Sequence, residues 1–232
     1  MRILGCGAHP DDAEIFFFGT LAAAREHGAE IGWLIATDGS KGGDGPPDEL
    51  RRVRRDEATA AAALLGVTPV FLDRLDGALA SDPEATKLVE AEIIRLKPDL
   101  VITHAPNDYH PDHRALSRMV INGASFRAPV VFADTLLGVG FTPSLYVDVG
   151  AHFARKREAI LCHASQRPER FVAAAEAWNR FRALQCNAES GVYAEAFRFV
   201  PTYPFGDVRA LLPPAPARCV RSALLHHSPT GH

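Results

Sequence analysis

Short apolar runs alternate with longer helical patterns along most of this chain, and this alternation constrains the fold more than any other feature. Residues 2–7 (RILGCG), 30–37 (EIGWLIAT) and 100–103 (LVIT) have the length and apolar character of buried strands. Segments of helical length separate them, such as 13–27 and the alanine-rich 49–65. Strands that alternate with helices in this way indicate βαβ units and a mostly parallel sheet. The sequence therefore predicts one Rossmann-like α/β domain, and 232 residues suffice for its core.

The same pattern predicts the remaining elements. Further strands are expected at 70–72, 130–133, 145–149 and 193–200, and further helices at 83–96, 112–122, 153–162 and 169–186. Neither an internal repeat nor an interdomain linker is recognisable. We therefore predict a domain over residues 1–200, followed by a proline-rich C-terminal extension over 201–232. The histidines of that extension are expected to be tail residues and not ligands: His226, His227 and His232.

Composition excludes several classes of protein. The formal net charge of −3 gives no electrostatic basis for nucleic-acid binding. No apolar run reaches the roughly 18 residues of a membrane span, so none is predicted. The four cysteines are scattered without a C-x-x-C spacing, which argues against a disulfide framework or a thiolate zinc site and fits a reducing compartment. A cytoplasmic protein is expected.

The first predicted strand ends in the sequence GCGAHPDD, residues 5–12. Its glycines suggest a dinucleotide fingerprint, but Pro10 removes a backbone donor and two acids follow where a pyrophosphate would sit. A metal suits the segment better, because Pro10 stiffens the turn so that His9 and Asp12 can converge on one ion. Asp11 can then lie beside the metal without ligating it. Imidazole and carboxylate ligands are compatible with zinc and also with iron, manganese or cobalt.

A second cluster, DYHPDH at residues 108–113, follows the strand at 100–103. In doubly wound sheets, ligands bind at the carboxyl ends of the strands, where the strand order reverses. A strand order 3-2-1-4-5 would make the first and fourth strands neighbours there, so the two clusters would face each other across one crevice. The alternative is a pair of unrelated helix-capping loops, which leaves three histidines and four acids to coincidence. A metal site at the carboxyl ends of the strands is therefore predicted.

The motifs HPDDAE at 9–14 and HPDH at 110–113 together resemble the LmbE-like, or PIG-L-type, zinc-dependent N-acetylglucosaminyl deacetylases. The resemblance continues through 148–166 and into YAEAF at 193–197, so it covers about residues 1–200. Members of that family remove N-acetyl groups from lipids that contain N-acetylglucosamine (GlcNAc), from thiol precursors and from antibiotic sugars. They often form homo-oligomers, hexamers among them. The later positions that resemble the family are Lys156, Ala159, His163, Ser165 and Gln166.

Position by position, the resemblance implies one Zn²⁺ per chain, held by His9, Asp12 and His113 with solvent in the remaining position. It places Asp11 at the family's general base, which would take the proton of the attacking water and pass it to the leaving amine. His110 falls on the residue that stabilises the oxyanion or acts as an acid. Asp112 is its expected partner, because an imidazolium needs a carboxylate on its far nitrogen to stay charged and aligned.

Weaker expectations concern the pocket around these residues. Arg54 fits an Arg-x-x-Glu pattern of the family and is expected to contact the substrate or to brace the site, unless it is a surface arginine. Tyr109 and Tyr193 are weaker substrate-binding candidates. The sequence FFFG at 16–19 departs from the smaller residues of the family and is expected to alter packing beside the acyl pocket. Three other histidines are expected to be structural or to support the ligands: His104, His152 and His163.

The sequence thus predicts a metal-dependent hydrolase, an amidase of linear C–N bonds. It would remove an N-acetyl group from a small amino-sugar compound: a GlcNAc-like glycoside, a thiol precursor or an antibiotic intermediate. Three alternatives stay open. One is a zinc amidase for a larger amide conjugate, and another is a metal- or sugar-binding module without turnover. The third, a metallophosphoesterase, would usually need a second metal ion.

Overall fold

The computed structural model describes residues 1–189 and 191–219. The three histidines of the tail lie outside the described residues. The strands are β1 Arg2–Gly7, β2 Glu30–Thr37, β3 Val70–Arg74, β4 Leu100–Thr103, β5 Val130–Ala133, β6 Leu145–Asp148 and β7 Ala194–Phe199. The α-helices are α1 Asp12–Phe16, α2 Phe18–Glu26, α3 Pro47–Ala63, α4 Pro83–Leu96, α5 Pro111–Ala124, α6 Phe153–Leu161 and α7 Glu169–Gln185.

The strands form one sheet in the order β3-β2-β1-β4-β5-β7-β6. Strands β1 to β5 run parallel to one another, whereas β7 runs antiparallel to both β5 and β6. The predicted single α/β domain and the order 3-2-1-4-5 are therefore confirmed. The antiparallel strand β7 makes the sheet mixed.

Side-chain alternation along the central strands divides the core into two layers. In β1, Ile3 belongs to the apolar cluster on one face of the sheet and Leu4 to the cluster on the other. In β2, Trp33 and Leu34 are divided in the same way. Helices α4 and α5 cover the Leu4 face, and α2, α3, α6 and α7 cover the Ile3 face. Because both faces of the sheet are buried, the sequences of these strands are nearly continuous runs of apolar residues, as is usual for parallel sheets.

The helix predicted over 13–27 is in fact two helices that break at Phe17, whose backbone (φ −148°, ψ 13°) is not helical. A buried carboxylate stabilises the new helix start. Glu195 of β7 accepts hydrogen bonds from the backbone N–H groups of Gly19 (2.9 Å) and Thr20 (2.7 Å), the free donors of the first turn of α2. Its charge is balanced by the ammonium of Lys156, 2.7 Å away and fully buried. Sequence periodicity could not show this break, because the capping residue lies 175 positions away.

This buried group gives a prediction about stability. Glu195→Gln keeps the shape of the side chain but leaves the Lys156 ammonium buried without its counter-charge. The free energy of unfolding should fall by about 3–5 kcal/mol, the usual cost of breaking a buried ion pair. Chemical denaturation monitored by circular dichroism measures it. Glu176→Gln, which removes an exposed pair with Arg180, should change stability by less than about 1 kcal/mol. Equal losses in the two variants would contradict the argument.

The described part of the predicted extension packs onto the domain. Val208 and Leu212 belong to the apolar cluster on the Ile3 face, and Asp148 N–H of β6 donates to the carbonyl of Pro214 (2.9 Å). The boundary at residue 200 stays a prediction. Among the described residues, no helix combines the length and the apolar character needed to span a membrane.

Candidate metal centre and active site

The loops after β1 and β4 carry the polar clusters singled out in the sequence. The two strands are hydrogen-bonded neighbours, with Ile3 opposite Leu100 and Gly5 opposite Ile102. Their carboxyl ends therefore lie side by side, and Ala8 N–H after β1 donates to Nε2 of His104 after β4 (3.0 Å). The structure brings the two clusters together at this edge of the sheet, as the strand order predicted.

Three side chains converge at the floor of the resulting cleft: His9, Asp12 and His113. Nδ1 of His9 lies 3.3 Å from Oδ2 of Asp12 and 3.3 Å from Nε2 of His113. Oδ1 of Asp12 lies 3.3 Å from the same nitrogen of His113. A tetrahedral ion with bonds of about 2.0–2.2 Å holds its ligand atoms roughly 3.4 Å apart. The nitrogen–nitrogen distance, with one Asp12 oxygen close to each nitrogen, therefore fits a metal site of two imidazoles and one carboxylate, such as a zinc site.

Each imidazole of this triad faces a carboxylate with its other nitrogen. Nε2 of His9 lies 3.4 Å from Oδ1 of Asp76 and 3.4 Å from Oδ2 of Asp112. Nδ1 of His113 lies 3.1 Å from Oδ1 of Asp108. Metal-binding histidines characteristically have such a partner, which fixes the tautomer and raises the basicity of the ligating nitrogen. The surroundings of the triad thus fit metal binding as well as its own spacing does.

The electrostatics of the cluster favour a positive charge at its centre. Burial works to raise the pKa of Asp12, but the imidazoles of His113, His104 and His9 hold it well below its usual range. Burial would lower the pKa of His113, but Asp12 and Asp108 raise it to about 9. The carboxylates thus stabilise a cation among these rings, whether it is a proton or a metal ion.

His104 lies beside the triad, in contact with both Asp12 and His113. Its ring is fully buried and stacks on His113, with ring centres 3.7 Å apart and planes 9° apart. The lone pair of Nε2 already accepts the Ala8 N–H, although this nitrogen also lies 3.1 Å from Asp12. Burial, together with His113, lowers the pKa of His104 to about 4, so the ring is neutral. Its position matches the supporting role expected from the sequence.

The expectation that Asp112 orients His110 is wrong in this structure. Both oxygens of Asp112 point away from that ring: Oδ2 accepts from Gly77 N–H (2.7 Å) and lies near Nε2 of His9, and Oδ1 accepts from Leu79 N–H (3.1 Å). Asp112 therefore ties the loop after β3 to a candidate ligand. The two partners come from regions distant in sequence, which local spacing cannot reveal.

His110 caps its own helix and points its other nitrogen away from the backbone. Its Nδ1 accepts the backbone N–H of Asp112 (3.2 Å) at the start of α5. The proton of the neutral ring then sits on Nε2. The ring centre lies 4.6 Å from that of His9 and 4.8 Å from that of His113. Burial lowers the pKa of His110, and the neighbouring His9 and His113 add to the effect. The hydrogen bond to Nδ1 and the lowered pKa both favour a neutral ring for His110 over the imidazolium that the sequence suggested.

Asp11 stands apart from the triad in both conformation and contacts. Its backbone has φ 150° and ψ −17°, a region that residues other than glycine rarely occupy. Its carboxylate pairs with buried Arg54, with Oδ2 3.0 Å from Nη2. The guanidinium also donates to the carbonyls of Gly39 and Pro10, each at 3.0 Å. Strain of this kind costs about 1–3 kcal/mol and persists at functional sites where the surroundings enforce it.

The cleft above the triad has a volume of about 350 Å³. Its floor is polar, and one wall is apolar. Phe16 lies in that wall, edge-on to His113 and to Trp178. It belongs to the FFFG sequence, which differs from the smaller residues expected of the family. The lining residues are His9, Asp11, Asp12, Ile15, Phe16, Lys41, Gly42, Arg54, Asp76, Gly77, Tyr109, His110, His113, Leu136 and Phe171.

Two of the three weaker substrate candidates line this cleft. Arg54 lies at its base, and the exposed ring of Tyr109 lies at its rim, edge-on to His110 and His113. Tyr193 does not line the cleft, so that expectation is wrong. Its ring stacks on Phe153, with centres 3.8 Å apart, and its hydroxyl accepts from Arg180. The YAEAF segment brings Glu195, not its tyrosine, into the interior.

Sequence reasoning missed several residues of the cleft. Asp76 follows β3, which extends to Arg74 rather than ending at residue 72, so its acid also lies at the carboxyl edge of the sheet. The strand boundary was the signal that would have identified it. Lys41, Leu136 and Phe171 come from loops and from the first turn of α7, and pattern reading does not place such residues.

Three of the later positions that resemble the family make hydrogen bonds to elements that surround the cleft: His163, Ser165 and Gln166. Nε2 of His163 lies 2.8 Å from Oε1 of Glu14, and both side chains are buried. Ser165 donates to Glu57 through its backbone N–H and its hydroxyl, each at 2.7 Å. Gln166 donates to the carbonyl of Gly42 (2.7 Å). These contacts connect α3 and the segment before α7 to the loop after β2.

The fold and the site together define a Rossmann-like protein with a candidate mononuclear metal centre at the carboxyl edge of its sheet. A family model described as PIG-L, GlcNAc-PI de-N-acetylase, matches residues 4–124. That range includes the whole triad, His110 and Asp11. The chain therefore belongs to the PIG-L (LmbE-like) family, as its two histidine-proline-aspartate motifs predicted.

Individual proteins agree with this assignment. The diacetylchitobiose deacetylase of Thermococcus kodakarensis is 32% identical over 222 residues, covering 86% of this chain and 83% of that protein. The solved N,N'-diacetylchitobiose deacetylase from Pyrococcus horikoshii, complexed with its inhibitor MPG, superposes with a TM-score of 0.74 at 27% identity, covering 86% of this chain and 84% of that one. GalB, a 4-carboxy-2-hydroxymuconate hydratase from Pseudomonas putida KT2440, gives a TM-score of 0.77 at 22% identity, covering 87% and 96%. At that identity it shows a shared fold only.

Proposed function

We propose that this protein is a zinc-dependent N-deacetylase of a small amino-sugar compound. One observation carries the proposal: the imidazole nitrogens of His9 and His113 lie 3.3 Å apart, each 3.3 Å from one oxygen of Asp12, at the floor of a cleft that also holds an acid and an imidazole outside the triad. A binding module would need only the three ligands. Relatives named as deacetylases of diacetylchitobiose support an N-acetylglucosamine-type substrate. Four free cysteines support a reducing, cytoplasmic location.

His9, Asp12 and His113 would hold the zinc ion. Zinc in such a site polarises an amide carbonyl and makes water acidic enough to act as a nucleophile near neutral pH. Asp11 would accept the proton of the attacking water and later deliver it to the leaving nitrogen, so that the amide C–N bond breaks and acetate and a free amine form. Arg54 would hold the Asp11 carboxylate in place and would not itself bind the sugar.

His110 would stabilise the negative charge that develops on the amide oxygen. A neutral imidazole with its proton on Nε2 can donate a hydrogen bond to that oxygen and needs no change of protonation state to do so. The apolar wall of Phe16, Leu136 and Phe171 gives the acetyl group and one face of the sugar ring a dry surface. Tyr109 at the rim would contact the rest of the substrate.

A deacetylation assay on N,N'-diacetylchitobiose and on methyl N-acetylglucosaminide tests the function directly. The protein is stripped of metal, reloaded with one equivalent of zinc, and assayed for released acetate and for free amine. We expect turnover with zinc and none in the stripped protein. Binding of both sugars without turnover would favour the sugar-binding module. Turnover of large amide conjugates alone would favour the broader amidase, and two tightly bound ions per chain in the protein as purified, before stripping, would favour a phosphoesterase.

Variants of His110 and Asp112 test the revised roles of these two residues. His110→Ala should keep the metal and lower kcat by about 10²-fold, as expected for loss of one oxyanion donor. Asp112→Asn should weaken metal affinity by about 10–100-fold, because it removes the carboxylate partner of His9. At saturating zinc, the effects on kcat should then multiply in the double variant, because the residues act through different atoms. If Asp112→Asn also lowers kcat strongly at saturating zinc, and the double variant is no worse than His110→Ala, the coupled pair that the sequence suggested would be restored. Metal titration and kcat are the measurements.

A further inference from the structure

The loop between β2 and α3 forms one side of the cleft and carries Lys41. Its backbone is held by hydrogen bonds at three residues: Gly39, Lys41 and Gly42. Lys41 N–H donates to Oδ2 of Asp76 (3.1 Å), Gly39 C=O accepts from Arg54 (3.0 Å), and Gly42 C=O accepts from Gln166 (2.7 Å). The anchors themselves lie in or beside the active site. The position of the Lys41 backbone relative to the triad is therefore fixed by the same contacts that organise the catalytic groups.

The Lys41 side chain extends over the loop that follows β3. Its Nζ lies 3.1 Å from the point where a side chain on Gly77 would begin. Gly77 has φ +74°, which favours glycine, and its N–H donates to Asp112 (2.7 Å). The absence of a side chain at this position thus leaves room for the ammonium at the mouth of the cleft, close to groups that contact His9.

The ammonium of Lys41 differs from the other cation of the cleft in having no partner. Arg54 is committed to Asp11 and to two backbone carbonyls. Within residues 1–189 and 191–219, by contrast, Nζ of Lys41 makes neither a hydrogen bond nor an ion pair, even though Asp76 accepts a hydrogen bond from its backbone. Lys41 is solvent-exposed and anchored only through its backbone, so its ammonium can reach an anionic group of a ligand that enters the cleft.

We propose that Lys41 determines specificity by binding an anionic group, a phosphate or a carboxylate, carried by the substrate outside its acylamino group. This inference rests on the proposed function and narrows its substrate class from amino sugars in general to acidic amino-sugar compounds. The carboxylates at the floor of the cleft repel an anion. The negative charge of the substrate must therefore lie on the part of the substrate that is close to the Lys41 ammonium.

The test compares kcat/KM for matched substrates in the zinc-loaded enzyme. The neutral probe is methyl N-acetylglucosaminide, and the acidic probes are N-acetylglucosamine 1-phosphate, N-acetylglucosamine 6-phosphate and N-acetylmuramic acid. Lys41→Met should lower kcat/KM about 10-fold for at least one acidic probe and less than about 3-fold for the neutral one, because one charge-assisted hydrogen bond is lost. Lys41→Glu should lower it further for the acidic probe. Lys87→Met, on the exposed face of α4, is the control and should leave the ratio of the two rates unchanged.

Salt and direct binding provide independent readouts. Raising ionic strength should lower kcat/KM of the wild type for the preferred acidic probe and should have little effect in Lys41→Met, because screening acts on the lost charge pair. Equal losses on neutral and acidic probes would overturn the proposal and make Lys41 a general structural residue. If no probe is deacetylated, the proposed function fails. Calorimetric binding of the acidic probes to wild type and Lys41→Met then decides the anion site, which is overturned if both bind with the same affinity.

Discussion

His113→Ala should leave the protein folded, without a tightly bound metal ion and with deacetylation at background, a loss of more than about 10³-fold. The reason is geometric, because Nε2 of His113 contributes two of the three 3.3 Å distances that define the triad. Its removal leaves His9 and Asp12 as the protein ligands, one fewer than catalytic zinc sites normally use. Elemental analysis after gel filtration, together with acetate release, measures both effects.

Two further variants make this result interpretable. His27→Ala removes an exposed imidazole at the end of α2, bonded to the carbonyl of Ala23, and should keep full metal content. His104→Gln replaces the ring stacked on His113 and should retain the ion with reduced affinity, because His104 supports the triad without belonging to it. Full metal occupancy in His113→Ala would refute the ligand set. Complete metal loss in His104→Gln would move His104 into it.

The sequence could predict the sheet and the meeting of the two motifs because both depend on short-range signals. Apolar runs of strand length mark β1 and β4, and the alternation of elements predicts a parallel sheet whose carboxyl ends share an edge. Given that edge, His9 and Asp12 after β1 must lie near His113 after β4. Chemistry and topology thus predicted that the two clusters meet, and the family resemblance added which three side chains are the candidate ligands.

The partners of these residues could not be predicted in the same way. Asp112 contacts His9, Gly77 and Leu79, which lie 103, 35 and 33 positions away, so the adjacent His110 was the wrong partner to infer. Tyr193 failed for a similar reason: packing against Phe153 determines where its ring points. Sequence patterns indicate which residue types meet at an edge of the sheet. Loop conformation and tertiary packing then determine which atoms touch.

Asp11 is the candidate residue about which the structure adds most to what the sequence predicted. The motif marked it as an acid between two ligands, and the structure adds an uncommon backbone angle, φ 150°, and a buried arginine partner. Neither feature is needed for metal binding, since Asp11 contributes no atom to the triad. A strained acid held by Arg54 beside a metal site is explained if the position of the carboxylate itself matters for the reaction.

Asp11→Asn should therefore keep one metal ion per chain and lower kcat by about 10³-fold, within the range for loss of a general acid–base group. Asparagine preserves the size of the side chain and tolerates positive φ, but its amide cannot accept the proton of the attacking water. KM should change little, because Asp11 acts on the reacting atoms and does not hold the sugar. Metal content, kcat and KM on one N-acetyl sugar make up the measurement.

A matched control separates this effect from a general consequence of removing an acid at such a position. Asp73 also has positive φ (53°) and also pairs with an arginine, Arg55, but it lies at the surface outside the cleft. Asp73→Asn should keep both metal and kcat. Asp11→Gly relieves the backbone strain but leaves the buried Arg54 guanidinium without its carboxylate, so it should not gain stability, and it should lose turnover because the acid is gone. If Asp11→Asn loses its metal, Asp11 is a ligand and the proton must be taken by another group. Among the described residues, Asp76 is the other carboxylate that lines the cleft outside the triad, and it would then become the candidate base.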